Sequence, residues 1–348
     1  MKWWKPGSGG KAARGWKAGR IVGGKETGGG GADSRSEAAG ERKAGRTAGR
    51  EKPGEYGGDA PESGGARIVG RTSADDSPAI ELRGAVCRYG GFRAVGPLDW
   101  TVRRGEFWAV LGPNGSGKSS LLGLVSGAER LAAGEVRLLG RPAAGYGRRE
   151  LARRLAVLPQ EGLPPLGVTV RDALELGRFP YRDRFGRERN PAAAEELLAR
   201  IAGRLELTAL LERRLDELSG GQRQRAALGQ VMAQQPEILL LDEPTAYLDI
   251  YYQLDVMELV REWRAEAGLT VVAVLHDPNL AAQYAERLLL LREGRAAGSG
   301  PAQSVLTAEA VGALYGVAPP IVVRREDIGA PQLLFRAARR PGAEPPRE

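Results

Sequence analysis

The sequence predicts an α/β fold in which helices cover the faces of a mainly parallel β-sheet. Short apolar runs at residues 107–111, 155–158, 238–241, 271–275 and 288–291 are each bounded by polar or turn residues. Runs of this length are typical of strands buried on both faces. Helical patterns lie between these runs, and that alternation favours a parallel sheet.

The first 77 residues differ in composition from the rest of the chain. They are rich in Gly and carry 15 basic and 10 acidic side chains, with few branched apolar residues. Such a segment buries too little apolar surface to fold alone, so we predict a disordered leader at residues 1–77. We predict a folded domain at residues 78–318 and a C-terminal extension at residues 319–348.

A helical subdomain is predicted at about residues 165–220, where the pattern is helical only. Thr169 with Asp172 resembles a capping box. Asn190 followed by Pro191 is typical of a helix start, and Thr208 is expected to cap a third helix.

The single cysteine of the chain, Cys87, excludes an internal disulfide framework.

The chain has no predicted means of entering a membrane by itself. No apolar run approaches the roughly 18 residues needed to span a bilayer, and the first residues lack the apolar stretch of a secretory signal. We therefore expect a cytoplasmic chain whose role at a membrane depends on partner subunits.

The loop at residues 112–119 fits the phosphate-binding pattern G-x-x-x-x-G-K-[ST]. It follows a predicted buried strand and precedes an apolar helix, which is the context this pattern requires. Its glycines let backbone N–H groups converge on phosphate oxygens. Lys118 is expected to pair with the β- and γ-phosphates, and Ser119 to ligate Mg²⁺.

Lys118 is the only lysine from residue 78 onward, against 35 arginines in the same stretch. An ammonium group is a compact point charge that fits inside such a loop, whereas a guanidinium is a wide planar fork. Biased codon usage explains the rarity of lysine, and phosphate chemistry explains its position.

Two consecutive carboxylates, Asp242 and Glu243, end the apolar run at residues 238–241. Asp242 is expected to hold Mg²⁺ through water. Glu243 is placed to polarise the attacking water as a general base.

The five-residue run Leu-Ser-Gly-Gly-Gln at residues 218–222 decides the family. It matches the signature of the ATP-binding cassette (ABC) superfamily, and the sequence resembles that family over about residues 79–318. The resemblance implies a P-loop NTPase of the ABC type, with an antiparallel β subdomain and the inserted helical subdomain. It also implies a head-to-tail homodimer, in which the signature of one chain faces the γ-phosphate of ATP held by the other.

The remaining family elements match in order, and the resemblance implies their roles. Tyr89 stands where an aromatic ring stacks on adenine, and Gln160 where a glutamine contacts Mg²⁺ and water. Asp249 lies in the loop that crosses the dimer interface. His276, the only histidine, stands where a switch histidine contacts the γ-phosphate. Tyr247 replaces the small or polar residue of many relatives and marks a subtype.

These matches define the predicted site, with ATP and Mg²⁺ as its cofactors. The ATP-binding residues are Tyr89, Gly112, Pro113, Asn114, Gly115, Ser116, Gly117, Lys118, Ser119 and Ser120. The catalytic residues are Glu243, His276 and Gln160; the Mg²⁺ ligands are Ser119, Gln160 and Asp242; the signature residues are Ser219, Gly220, Gly221 and Gln222.

The segment at residues 169–181 resembles the first segment of the helical subdomain in importers of ferric siderophores, haem and cobalamin. This implies integral-membrane permease partners, a substrate-binding protein engaged indirectly, no direct cargo contact, and a peripheral position at the cytoplasmic face of the membrane. An importer of another substrate class is the alternative.

The sequence leaves two further hypotheses. One is a soluble ATPase that acts on nucleic acid through the basic leader. The other is a cassette that only binds ATP, against which the retention of Lys118, Asp242, Glu243 and His276 together argues.

Overall fold

The computed structural model describes residues 77–89, 92–164 and 167–336 of the chain. The predicted leader, apart from Ser77, and the last twelve residues of the predicted extension lie outside the described residues.

Within the described residues the structure has twelve strands. They are β1 Pro78–Tyr89, β2 Phe92–Arg103, β3 Phe107–Leu111, β4 Leu131–Leu138, β5 Arg141–Pro142, β6 Leu155–Leu158, β7 Ile238–Asp242, β8 Thr270–Val274, β9 Arg287–Arg292, β10 Arg295–Pro301, β11 Ile321–Arg324 and β12 Pro331–Leu334.

The described residues also form nine α-helices. They are α1 Lys118–Ser126, α2 Arg148–Arg154, α3 Val170–Gly177, α4 Pro191–Arg204, α5 Gly220–Ala233, α6 Ile250–Ala267, α7 Pro278–Tyr284, α8 Ala302–Val305 and α9 Ala308–Tyr315. None of these helices is long and apolar enough to cross a membrane.

The main sheet has the strand order β10-β9-β3-β8-β7-β6. Its strands from β9 to β6 are parallel, and β10 pairs antiparallel with β9 at one edge. Every residue of β3 and β8 is buried, which explains the apolar sequence of β3 and that of β8 after Thr270. The prediction of a mainly parallel sheet is confirmed.

The strand order places four chemically important segments at one edge of the sheet. The carboxyl ends of β3, β8, β7 and β6 are neighbours, because these strands are adjacent and parallel. The residues that follow them are the phosphate loop, His276, Glu243 and Gln160 in turn. Ligands of open α/β sheets bind at such carboxyl ends.

The antiparallel β subdomain is also present, with the strand order β2-β1-β4-β5. Its buried side chains join α1 and one face of the main sheet in a single core cluster, which includes Trp100 and Leu121. The second core cluster packs the helices α3, α4 and α5 against the other face.

The helical segment begins as predicted. Thr169 and Asp172 form the capping box of α3, and the side chain of Asn190 accepts a hydrogen bond from the Ala193 N–H at the start of α4. The expectation for Thr208 is wrong. Residues 208–210 form a single 3₁₀ turn, and no side chain caps it.

The C-terminal part of the described chain is a two-stranded hairpin, β11 and β12, which packs on α7. The side chain of Asn279 in α7 both donates to the Leu333 carbonyl (3.2 Å) and accepts from the Leu333 N–H (2.7 Å). The hairpin therefore has a fixed position on the domain.

Candidate active site

The phosphate loop is held in place by close backbone approaches that only glycine permits. Gly117 has φ 100°, and a Cβ there would lie 2.4 Å from the Ala94 carbonyl oxygen. A Cβ on Gly112 would lie 2.1 Å from the carbonyl oxygen of Leu291. Gly294, in the turn after β9, donates its N–H to the Ser116 carbonyl at 2.9 Å. Sequence reasoning missed this support from Gly294, because the turn is distant along the chain.

We expect Gly117→Ala to destabilise the nucleotide-free protein by about 1–3 kcal/mol more than Gly115→Ala, because only the first substitution overpacks the loop. Both residues have positive φ, so both substitutions share the strain of an L-residue in that region. A Cβ on Gly115 would meet nothing within 4 Å. Chemical denaturation of the two variants measures the difference, and equal losses would contradict the proposed collision.

Lys118 lies inside the loop rather than on its surface. Its Nζ donates to the carbonyl oxygens of Gly112 (2.9 Å) and Pro113 (3.1 Å), and the residue is 5% exposed. Burial lowers the pKa of Lys118, while the nearby carboxylates of Glu243 and Asp242 act in the opposite direction. The ammonium is thus positioned in the loop before any phosphate arrives.

The start of α1 suits an anion. Its N-cap is Gly117, so no side chain satisfies the first N–H groups of the helix, and its first turn has no acidic residue. These N–H groups and the positive end of the helix dipole favour a phosphate.

The predicted Mg²⁺ ligands Ser119 and Asp242 are in contact, with Ser119 Oγ donating to Asp242 Oδ1 at 3.2 Å. Both offer the oxygen ligands that Mg²⁺ prefers. The described residues contain no cluster of three or more His, Cys, Asp or Glu side chains that could cage a metal. Mg²⁺ is commonly held by one or two protein groups together with substrate phosphates, and this pair fits that pattern.

Burial raises the pKa of Asp242, and Glu243 adds to the rise. The Ser119 hydrogen bond and the charges of Lys118 and His276 lower it in part. The nucleotide-free protein therefore holds this carboxylate at a free-energy cost.

We expect Asp242→Asn to raise the Tm of the nucleotide-free protein at pH 7 by a few degrees, while lowering Mg²⁺-dependent ATP hydrolysis. A carboxyl whose folded pKa is raised destabilises the folded state once the pH rises above that value. The difference between parent and variant should therefore shrink as the pH falls toward the ordinary carboxyl pKa of 3.8.

Asp327→Asn is the control, and its expected change in Tm has the opposite sign. Arg325 holds the pKa of Asp327 below its usual range, so removal of this carboxylate should lower the Tm at pH 7. Thermal melts across pH check both variants. A lower Tm for Asp242→Asn than for the parent at pH 7 would contradict the free-energy cost that we assign to the Asp242 carboxylate.

Glu243 and His276 form a direct pair, which sequence reasoning did not predict. His276 Nε2 lies 2.6 Å from Glu243 Oε1. Glu243 has φ 51°, and its backbone N–H donates to the Val274 carbonyl at 3.1 Å, across to the neighbouring strand. The carboxylate is thereby turned toward the histidine that follows β8.

Many of the predicted ATP-binding and catalytic residues line one cleft of about 640 Å³, whereas Gly112, Pro113, Ser116 and Asp242 are not among its lining residues. Its lining includes Tyr89, Asn114, Gly115, Gly117, Lys118, Ser119, Ser120, Gln160, Glu243, Tyr247 and His276, together with Ala94 and Ala246. Partial burial raises the pKa of Tyr89 to about 12, so its ring is neutral at physiological pH. A neutral phenol at the rim suits stacking against a base.

The signature residues do not line this cleft. Ser219 caps α5, and its Oγ accepts from the Gln222 N–H at 3.3 Å while Gln222 Oε1 accepts from the Ser219 N–H at 3.1 Å. Ser219 and Gly220 are exposed. Gly221 is buried, and a Cβ there would lie 2.6 Å from the ring of Tyr252 in α6. Gln224 Nε2 donates to the Pro244 carbonyl at 2.8 Å, a link between α5 and the Glu243 loop that sequence reasoning missed.

Asp249 is exposed and caps α6, where its Oδ1 accepts from the Tyr252 N–H at 3.1 Å. Asp249 therefore caps a helix within its own chain, and its role in the loop that crosses the dimer interface stays a prediction.

The fold and the cleft define a P-loop ATPase. Residues 95–246 of this chain match the protein-family model described as ABC transporter. The ferric enterobactin transport ATP-binding protein FepC of Escherichia coli (strain K12) is 40% identical over 229 residues, which cover 66% of this chain and 84% of that protein. The hemin import ATP-binding protein HmuV of Myxococcus xanthus (strain DK1622) is 43% identical over 256 residues, 70% of this chain and 92% of that protein.

A solved structure is also similar. The dimeric structure of MJ0796, a bacterial ABC transporter cassette, has a TM-score of 0.57 and 28% identity, and covers 64% of this chain and 98% of that one. This chain belongs to the ABC transporter family, and it is an ATPase of that family.

Proposed function

We propose that this chain is the ATPase subunit of an importer for an iron chelate such as a ferric siderophore, for haem or for cobalamin. Its relatives in Escherichia coli and Myxococcus xanthus are named for the transport of ferric enterobactin and of hemin. The segment at residues 169–181 resembles the same branch.

The convergence of four strand ends on one cleft supports the proposed hydrolysis. The loop N–H groups and Lys118 bind the phosphates, and the ring of Tyr89 stacks on adenine. Glu243 accepts the proton of the attacking water, and the contact with His276 at 2.6 Å orients the carboxylate for that task. Ser119, Asp242 and Gln160 would hold Mg²⁺, which neutralises phosphate charge when bound.

The site is proposed to be completed by a second copy. Ser219 to Gln222 lie outside the cleft of their own chain, and their exposed helix N-terminus can face the γ-phosphate in the partner. Asp249 lies in the loop proposed to cross the dimer interface. The resemblance to a dimeric cassette supports this arrangement.

Transport then requires membrane partners. We place the dimer at the cytoplasmic face of the membrane, with its domain at residues 78–318. The helical subdomain, between Gln160 and Tyr181, would pass the closing motion to a permease subunit. The cargo crosses through the permease, and a substrate-binding protein engages the ATPase only indirectly.

Deletion of the gene in its own host tests the cargo. We expect the deletion strain to lose growth on a ferric siderophore, on haem or on limiting cobalamin, and to keep growth on an excess of simple iron salts. The parent gene restores growth and the Glu243→Gln gene does not. Unimpaired growth on all three sources would contradict the proposed cargo class without bearing on ATP hydrolysis by the purified chain.

A further inference from the structure

The backbone of Glu243 is held in a strained conformation. Its φ is 51°, in the left-handed region that residues with a side chain adopt only at a cost. Such strain persists where neighbouring groups fix the backbone, and it is common at active sites. Two backbone hydrogen bonds fix it here: Glu243 N–H donates to the Val274 carbonyl (3.1 Å), and Ala246 N–H donates to the Glu243 carbonyl (3.0 Å). Whatever holds this loop therefore also sets the position of the Glu243 carboxylate.

A side chain from another element makes a third contact with this loop. Gln224 of α5 donates from its Nε2 to the Pro244 carbonyl at 2.8 Å. Pro244 directly follows Glu243 and is buried. A buried carbonyl that loses a donor is costly, so the loop is expected to shift toward water when the Gln224 amide is removed.

The amide of Gln224 lies between the two loops that bring Gln160 and Glu243 to the cleft. At the end of the amide opposite Pro244 is Gly162, in the turn that follows Gln160. A Cβ on Gly162 would lie 3.1 Å from Gln224 Oε1, so this approach is close. The amide therefore has little room to turn, and its N–H group stays directed at the Pro244 carbonyl.

Gln224 itself is outside the ATP cleft. It is half-buried near the start of α5, the helix that Ser219 caps, and it is not among the residues that line the cleft. Any effect of this side chain on ATP hydrolysis must therefore pass through the loops that it holds.

We propose that Gln224 is a positioning residue for the general base. It holds the Glu243 loop in the conformation that directs the carboxylate at the attacking water, and it does so from the helix that carries the signature. The inference rests on the role of Glu243 in the proposed function. Displacement of a catalytic group by about 1 Å can cost roughly 10² in rate, so a single contact behind the base is enough to matter.

Gln224→Met tests the contact. Methionine keeps the length of the side chain and suits a helix, but it has no N–H group to donate. We expect kcat for ATP hydrolysis by the purified full-length chain to fall at least about tenfold. KM and the binding of a fluorescent nucleotide should stay at the parent values, because Gln224 does not line the cleft. An unchanged kcat, or a rise in KM alone, would overturn the proposal.

Gln234→Met is the matched control. Gln234 is a second half-buried glutamine, at the other end of α5, and its Nε2 donates to the carbonyls of Ala152 (2.6 Å) and Leu155 (2.7 Å). It does not line the cleft, so this variant loses comparable hydrogen bonds and should keep kcat and KM. An equal loss of kcat in both variants would overturn the proposal. Thermal melts check folding, and Gln224→Glu, which has the same shape and no N–H donor when ionised, replaces Gln224→Met if that variant does not fold.

A double-mutant cycle with Glu243→Gln shows whether Gln224 acts through the base. Once the proton acceptor is gone, a shift of the loop has no base to misplace, so Gln224→Met should leave the residual turnover of Glu243→Gln unchanged. A further fall as large as that in the parent would overturn the inference about Gln224 alone. Parent-like hydrolysis by the single variant Glu243→Gln would instead overturn the assignment of the base, and the growth test of the cargo is independent of both results.

Discussion

Glu243→Gln is expected to lower ATP turnover roughly 10²–10⁴-fold, the usual contribution of a general base, while ATP binding is kept. Glutamine preserves the size of the side chain and its contact with His276, but it cannot accept a proton from water. The backbone at Glu243, with φ 51° and a bond to the Val274 carbonyl, depends on no property of the carboxylate. The loss should therefore appear in kcat and not in the affinity for ATP.

Phosphate release and fluorescent-nucleotide binding measure the two quantities separately. Glu326→Gln is the matched control, because Glu326 is exposed and does not line the cleft. If the purified Glu243→Gln chain hydrolyses ATP like the parent, another group is the base. If it loses ATP binding as well, the substitution has disturbed the cleft itself.

A mixture of two inactive variants, Lys118→Ala and Ser219→Asp, is expected to recover roughly a quarter of the parent ATPase activity. Lys118 lies inside the cleft, whereas Ser219 lies outside it in the same chain. In a head-to-tail dimer of one variant with the other, both lesions fall on one site and the second site is intact. Half of the dimers are mixed in this way, and each has one working site of two.

The choice of aspartate at Ser219 protects the fold. Aspartate is as good an N-cap as serine, so α5 keeps its cap, while the new charge repels the γ-phosphate. The control mixture is Lys118→Ala with Glu243→Gln, since both of these residues serve the ATP held by their own chain. That mixture should stay inactive. Recovery in the control, or none in the first mixture, would contradict a signature that acts in the partner's site.

Local sequence patterns identified most chemical groups of the site, because each is a short motif at a strand end or helix start. The apolar run before Asp242 predicted a buried strand, and the spacing of Gly112 to Ser119 predicted a strand, loop and helix; all are present. The prediction that Thr208 caps a helix was wrong, because a capping residue alone does not provide enough buried contacts to extend a helix beyond one turn.

Other features depend on residues that are distant along the chain. The support of the phosphate loop by Gly294 and the link from Gln224 to the Pro244 carbonyl have no local signature. The exposed face of the C-terminal hairpin also depends on which side of β12 packs against α7. A pattern of alternating apolar residues does not say which face is covered.

Short motifs in the sequence specify which groups this protein uses: a lysine in a glycine loop, two carboxylates, one histidine and a signature of five residues. The distances between these groups depend on the fold. The strand order β3-β8-β7-β6 brings His276 to 2.6 Å from Glu243 and Ser119 to 3.2 Å from Asp242. The same fold leaves Ser219 outside the cleft. Local periodicity encodes the elements, whereas their order in the sheet follows from long-range packing of buried faces.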